Sequence, residues 1–142
     1  MPEEVISTLP YVRVRYVRAH NLAASVQWSR AQWRWVIIVN RNDTVGRQRF
    51  SLAHEFKHVV DHPLAHVIFR DRPVSSAYLQ AERAADVFAA ALLMPKAWMK
   101  RAFYDEGIRD ERVLARHFEV SVAAMRVRVD QLGLREPEAV AA

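Results

Sequence analysis

Apolar and charged residues alternate through Tyr11-Val12-Arg13-Val14-Arg15-Tyr16-Val17, the period of two expected of a half-exposed strand. Residues 25–29 form a weaker strand segment. Residues 33–39, Trp-Arg-Trp-Val-Ile-Ile-Val, are rich in β-branched and aromatic side chains and predict the strongest strand. Asn40-Arg41-Asn42-Asp43 reads as a turn, Gly46 follows, and a helical pattern starts near Arg47. Ser51, or a residue just before it, is the expected cap of a helix running to about Asp61. Pro63 stops that helix, because the residue before a proline avoids the α region.

Residues 63–77 contain Pro63 and Pro73 and mixed polarity, so they predict a loop or short irregular elements. A second long helix is expected from about Ser76 to Met94. Its Ala and Leu content favours helix, and Pro95 closes the run. A third helix, around residues 96–104, carries Trp98 and Phe103. Two short helical patterns follow, at 110–118 and 122–132, joined by Glu119-Val120-Ser121. Ser121 is an expected N-cap and Gly133 an expected C-cap. Residues 136–142 are expected to fray. There is no internal repeat. Strands followed by helices predict an α+β class with a small antiparallel sheet and a C-terminal, helix-turn-helix-like segment.

Length and composition narrow the chemistry. The 142 residues suit one domain with at most a small appended module. The chain is 51% hydrophobic and 26% charged, which excludes a disordered or collagen-like chain. The absence of cysteine excludes disulfide scaffolds, thiol catalysis and Cys-ligated metal sites. No apolar run approaches a membrane span. Met1-Pro2-Glu3-Glu4 lacks the basic-then-apolar pattern of a signal peptide, so a soluble cytoplasmic protein is expected. The net charge is +5, and all of the excess lies in residues 1–60, which hold 9 Lys and Arg against 4 Asp and Glu. Arg13, Arg15, Arg18, Arg30, Arg34, Arg41, Arg47 and Arg49 carry most of it. Such a field favours an acidic partner, protein or nucleic acid, while a solvated strand face explains it equally well.

The sharpest signal is His54-Glu55-Phe56-Lys57-His58. Histidines at i and i+4 project from one face of a helix, one turn apart. Both imidazoles can then reach one metal ion, and the intervening Glu55 can act as general base on a metal-bound water. By composition alone such a match arises by chance in about one chain in 60, so its context decides. A catalytic zinc site has three protein ligands and an open position. Without cysteine the third must be His, Asp or Glu. Glu82 and Asp86, also i and i+4, offer a carboxylate ligand and an acceptor for the outer ring nitrogen of His54 or His58. The bland alternative pairs Glu82 with Arg83 and leaves Asp86 in solvent. His62 and His66 continue the four-residue spacing, but His62 lies too far along a straight helix to share a metal with His54, and Pro63 removes His66. Both are expected at the cleft mouth or surface. A metzincin would need His at position 64, which is Leu64. His66, Tyr78 and Tyr104 are candidates for polarising a substrate oxyanion. His20 and His117 receive no role.

Arg49-Phe50-Ser51-Leu52-Ala53-His54-Glu55-Phe56-Lys57-His58, followed by Glu82-Arg83-Ala84-Ala85-Asp86-Val87-Phe88-Ala89-Ala90-Ala91-Leu92-Leu93-Met94-Pro95, resembles the ImmA/IrrE family of HExxH zincin metallopeptidases. That family pairs an R-F-T-L-A-H-E-x-x-H helix with a later E-x-x-A-N/D-x-F-A-x-x-L-L-x-P helix. The Asn40–Asp43 turn and the tail from Leu114 to Leu134 fit as well. Lys57 stands where Gly is common and Asp86 where Asn is common. The second segment is also similar to the E-x-x-x-D of thermolysin-like enzymes. The resemblance implies His54, His58 and Glu82 as metal ligands and Glu55 as catalytic base, on a zincin-like helical core. It also implies a peptidase-like domain over 1–104, a helix-turn-helix-like subdomain over 105–135 packed on it, and a tail over 136–142. Zinc is the first-choice metal, with manganese or iron as alternatives.

The resemblance implies a metal-dependent endopeptidase that cleaves or inactivates a helix-turn-helix repressor of a phage, mobile element or stress response. Larger members carry a further C-terminal domain, so this chain is expected to be a minimal form. Residues 33–39 are expected to present the edge to which an extended substrate adds as a further strand. Two rival readings stand beside this one: an inactive repressor-binding protein that keeps the metal site, and a DNA-binding regulator using the tail. Between Asp110 and Leu134 four arginines meet four carboxylates, which favours packing or partner binding over DNA contact.

Overall fold

The computed structural model describes residues 2–19 and 21–134; the expected fraying of 136–142 lies outside the described residues. The chain opens with a 3-10 helix, Pro2–Thr8, and then forms three strands: β1 (Val12–Val17), β2 (Ala24–Ser29) and β3 (Arg34–Asn40). The six helices that follow are α1 (Val45–Asp61), α2 (Ala65–Ile68), α3 (Ala77–Leu93), α4 (Lys96–Lys100), α5 (Glu111–Phe118) and α6 (Val122–Leu132). A π-helical turn, Arg101–Asp105, extends α4 and covers the end of the predicted third helix. The fold is α+β, as the pattern of elements predicts.

Two expectations about the sheet need correction. The strand order is β1-β3-β2, and β3 pairs parallel with β1 and antiparallel with β2, so the sheet is mixed rather than antiparallel. Strand β3 is therefore central, with both edges hydrogen-bonded, and residues 33–39 cannot accept an added strand; the free edges belong to β1 and β2. The cause is apolar pressure. Strand β3 has six of its seven residues partly or wholly buried, including Val36, Ile37 and Val39, and a strand so covered belongs in the middle of a sheet.

One face of the sheet meets α1. Leu52, Phe56 and Val59, spaced along one side of α1, close on Ile37, Val39, Val12 and Ile6 to make the first core cluster. A second cluster runs from the C-terminal half of α3 through Met94, Met99 and Phe103 into α5 and α6, where Leu114, Phe118 and Met125 are buried. Helix α1 starts two residues before the expected Arg47. Its N-cap is Thr44, whose side chain accepts from the Arg47 N–H, so Ser51 lies inside the helix. The other expected caps fall where the sequence puts them: Ser121 caps α6, and Gly133, with φ 62°, ends α6 in the left-handed region; Ser76, the expected start of the second long helix, is the N-cap of α3. Residues 62–68 form short 3-10 and α turns after Pro63.

Arg49 departs most from expectation. Grouped by sequence with the exposed positive charge, it is buried. Its Nε and Nη2 donate to the Glu3 carboxylate, and Nη1 donates to the carbonyls of Phe118 (2.7 Å) and Glu119 (2.8 Å). One side chain thus ties the N-terminal 3-10 helix and the end of α5 to α1. Gly46 completes the joint: a Cβ there would lie 2.9 Å from the Val120 carbonyl carbon, so only glycine lets α1 come this close to the α5–α6 turn.

Candidate metal centre

Helices α1 and α3 pack side by side in opposite directions, since His54 meets Asp86 while His58 meets Glu82. Small buried residues, Ala53 on α1 and Ala85 and Ala89 on α3, allow the axes to approach closely. On α1, the face beside the sheet-packing residues carries His54 and His58. On α3, Tyr78, Glu82 and Asp86 form a stripe at four-residue spacing.

The two stripes converge. His54 Nε2 lies 3.2 Å from His58 Nε2 and 3.2 Å from one Glu82 oxygen, and His58 Nε2 lies 3.0 Å from the other. Among the described residues this trio is the one group of His, Asp and Glu side chains gathered closely enough to hold a metal ion. Four ligands placed tetrahedrally about 2.0–2.1 Å from a zinc ion are about 3.3 Å apart, so the spacing of these donors fits one. The protonation pattern fits too. His54 Nδ1 lies 2.8 Å from Asp86 Oδ1, which places the imidazole proton on Nδ1 and leaves Nε2 as a lone-pair donor facing His58 and Glu82. Glu82 turns its two oxygens towards the histidines.

Glu55 is partly buried beside this trio. Burial raises its carboxyl above the ordinary glutamate value, and neighbouring Glu82 adds to the rise, while His54 and His58 pull it back down. A carboxylate tuned upwards at such a place is a better proton acceptor. Lys57 points away: its Nζ is 2.7 Å from Asp61 Oδ1 and lies over the Phe88 ring. The cation beside the motif therefore does not face the donors.

The secondary candidates separate. His62 is exposed and its ring meets Trp35 edge-on, 4.8 Å between centroids. His66 is exposed on α2. Tyr104 meets Phe103 edge-on and lies beneath the Arg109 guanidinium. Tyr78, exposed, shares the Glu82 stripe one turn earlier. A cleft lined by Phe50, Val87, Ala90, Ala124 and Val127 begins at Asp86, so α6 forms one wall beside the centre. Sequence reasoning did not anticipate this contribution of the tail, because nothing local in α6 signals which helix it will face.

Two imidazoles and a carboxylate from two helices under a small sheet make a donor set for a transition-metal ion with a position left open. The chain belongs to the Peptidase_M78 family: the profile described as the IrrE N-terminal-like domain matches residues 1–130. No curated protein matches it in sequence. Among solved structures it is similar to a Mycobacterium tuberculosis transcriptional regulator, with a TM-score of 0.66 and 24% identity over 96% of this chain. The match covers 41% of that regulator. That similarity is one of fold. Among the described residues no helix is long and apolar enough to cross a membrane.

Proposed function

We propose that the protein is a zinc-dependent endopeptidase of the cytoplasm that cleaves a helix-turn-helix repressor. The observation that carries the chemistry is the convergence of His54 Nε2, His58 Nε2 and Glu82, with His54 oriented by Asp86. Zinc suits a His₂Glu set best, and manganese or iron can occupy the same donors. When bound, the metal acidifies a water and polarises the scissile carbonyl. His54 and His58 offer neutral imidazoles and Glu82 the carboxylate that hold it. Glu55 takes the proton from the attacking water and later hands it to the leaving amine. The cleft that starts at Asp86 accommodates apolar side chains of the substrate beside the bond that is cut. The free edge of β2, the strand next to β3, takes the strand-pairing role that the sequence suggests for residues 33–39.

The choice of repressor rests on the family and on the similarity to a transcriptional regulator. Co-expression with candidate helix-turn-helix repressors, beginning with any encoded next to its gene, read by intact mass, tests the proposal. Cleavage is expected with the wild type and a loss of about 10²–10⁴-fold with Glu55→Gln, while metal content stays at one ion per chain. Metal lost together with activity in Glu55→Gln, or no mass change in any partner at full metal loading, speaks against it.

A further inference from the structure

Strand β2 lies at an edge of the sheet, and its register decides what that edge offers. The Asn40 N–H donates to the Ala23 carbonyl (2.9 Å), so residues 23 and 40 oppose each other as a hydrogen-bonded pair. Bonded and unbonded pairs alternate along an antiparallel ladder. Ser25, Gln27 and Ser29 therefore bond β3, while Ala24, Val26 and Trp28 turn their N–H and C=O groups to the free edge. The side chains of Ala24, Val26 and Trp28 stand beside Val39, Ile37 and Trp35, on the face that packs on α1. A strand added to this edge bonds Val26 and Trp28 and places the side chains opposite them on that same face.

The same face leads to the metal centre. Glu55 and His62, seven residues apart, share one flank of α1. The other flank, at Arg49, is taken up by Glu3, from the segment that leads into β1, so the Glu55 flank looks towards β2. A row of rings joins the two. His62 meets Trp35 (4.8 Å between centroids), Trp35 meets Trp28 (5.6 Å), and Trp28 meets Trp33 (6.3 Å), each pair edge-on. The row ends in the open: Trp28 is 42% and Trp33 78% exposed. Trp33 keeps its place with φ 51°, a left-handed conformation that a bulky residue adopts at a cost. From His62 back to His58 is about 6 Å along the helix. From Trp28 back to Val26 is about 6.6 Å along the strand. Val26 is therefore level with His58 when Trp28 is level with His62.

Resting on the endopeptidase reading above, we infer that Trp28 and Trp33 form a subsite for an aromatic side chain of the substrate, two residues before the residue whose carbonyl is attacked. The substrate adds antiparallel to β2, the more stable pairing per residue. Helix α1 runs in the same direction as β2, because Trp35, the partner of Trp28, meets the C-terminal end of α1. The peptide thus passes Trp28 first and reaches the level of His58 two residues later. A flat apolar ring packs against both indoles. A cationic side chain also suits an indole face, but residues 5–42 hold six arginines and no Asp or Glu, and that field repels it. A carboxylate gains nothing from the negative faces of the rings.

The test uses a fluorescein-labelled decapeptide of Ser and Thr with one central Phe, added to zinc-loaded Glu55→Gln protein and read by anisotropy. It is expected to bind about ten-fold more tightly than the same peptide with Ser at the Phe position. Trp33→Gly suits the positive φ and Trp28→Thr suits a strand, so each should melt with its parent and keep its zinc. Each is expected to abolish the preference for Phe, and Trp28→Phe to restore most of it. N-methylation of the Phe residue removes its bond to Trp28 and should weaken binding, whereas N-methylation of the next residue, whose N–H points away from β2, should not. Wild-type protein should cut after the second residue beyond Phe. Binding that depends on Phe and on both tryptophans, with no cut by the wild type, supports the aromatic subsite and overturns the endopeptidase reading. The subsite is ruled out if the Phe and Ser peptides bind alike or not at all, or if the Trp28→Thr and Trp33→Gly proteins keep the preference. It is also ruled out if the two N-methylated peptides bind alike, or if the cut falls at another distance from Phe.

Discussion

Helix α1 carries two sets of buried polar side chains little more than one turn apart. At Arg49, three donor nitrogens all reach acceptors within the chain: the Glu3 carboxylate and the carbonyls of Phe118 and Glu119. At His54 and His58, two acceptor nitrogens and a carboxylate point at one another, an arrangement that is satisfied only by a proton or a cation between them. The first set closes a joint and the second forms a donor set for a cation. The lesson is that burial of a charged residue on a functional helix does not mark it as functional. What separates the two sets is whether donors meet acceptors or acceptors meet acceptors.

Breaking the joint should give the largest effect on stability. Arg49→Met strands the Glu3 carboxylate in the interior and frees two carbonyls, and a loss of about 3–5 kcal/mol is expected from chemical denaturation. Pairing it with Glu3→Leu should recover a large part of that loss. If Arg49→Met alone melts with the wild type, the joint reading is wrong. Gly46→Ala forces a methyl against the Val120 backbone and should cost about 1–3 kcal/mol. A smaller cost would mean that the α5–α6 turn yields easily.

The donor set should respond in a different quantity. Asp86→Ala removes the acceptor that orients His54, so metal affinity is expected to fall about 10–100-fold with little change in melting of the metal-free protein. Competition against a chromophoric chelator measures it, and unchanged affinity would leave Asp86 with no part in holding His54. The smallest expected effect concerns Glu55. Its carboxyl titrates above the ordinary value of 4.5 because burial disfavours its charge. The folded chain therefore binds that proton more tightly than the unfolded chain, and stability of the metal-free protein falls as pH rises from 4.5 through the raised value. Metal-free Glu55→Gln is expected to melt slightly above the wild type at neutral pH, with the gap closing once the solution falls below about pH 4. A gap that persists in acid would trace to something other than ionisation.

Much of the centre was legible in the sequence because its information is local. His54, Glu55 and His58 lie within one helical turn, and Glu82 with Asp86 within another, so helix periodicity puts each set on one face before any tertiary contact is known. The caps at Ser121 and Gly133 were legible for the same reason. The failures are non-local. Arg49 bonds Glu3 across 46 residues and Phe118 across 69, and nothing near it distinguishes it from the exposed arginines. Strand patterns likewise reveal which face is apolar but not which strand lies in the middle, because pairing partners leave no mark on a strand's own sequence. The helix start was misjudged by a competing signal: Ser51 is a good cap by type, but Thr44 has the extended backbone a cap needs.

Strand order also governs how the sheet can assemble. The chain makes β1 and β2 first, yet seats β3 between them. Strand β1 has no neighbour to pair with until β3 exists, while β2 and β3 are joined by a short turn and can zip together unaided. The parallel seam between β1 and β3 therefore closes across a longer span of chain, at a greater entropic cost, than the antiparallel one. On a ribosome, where the N-terminus emerges first, the six residues of β1 stand idle until the strand that will hold them has been synthesised.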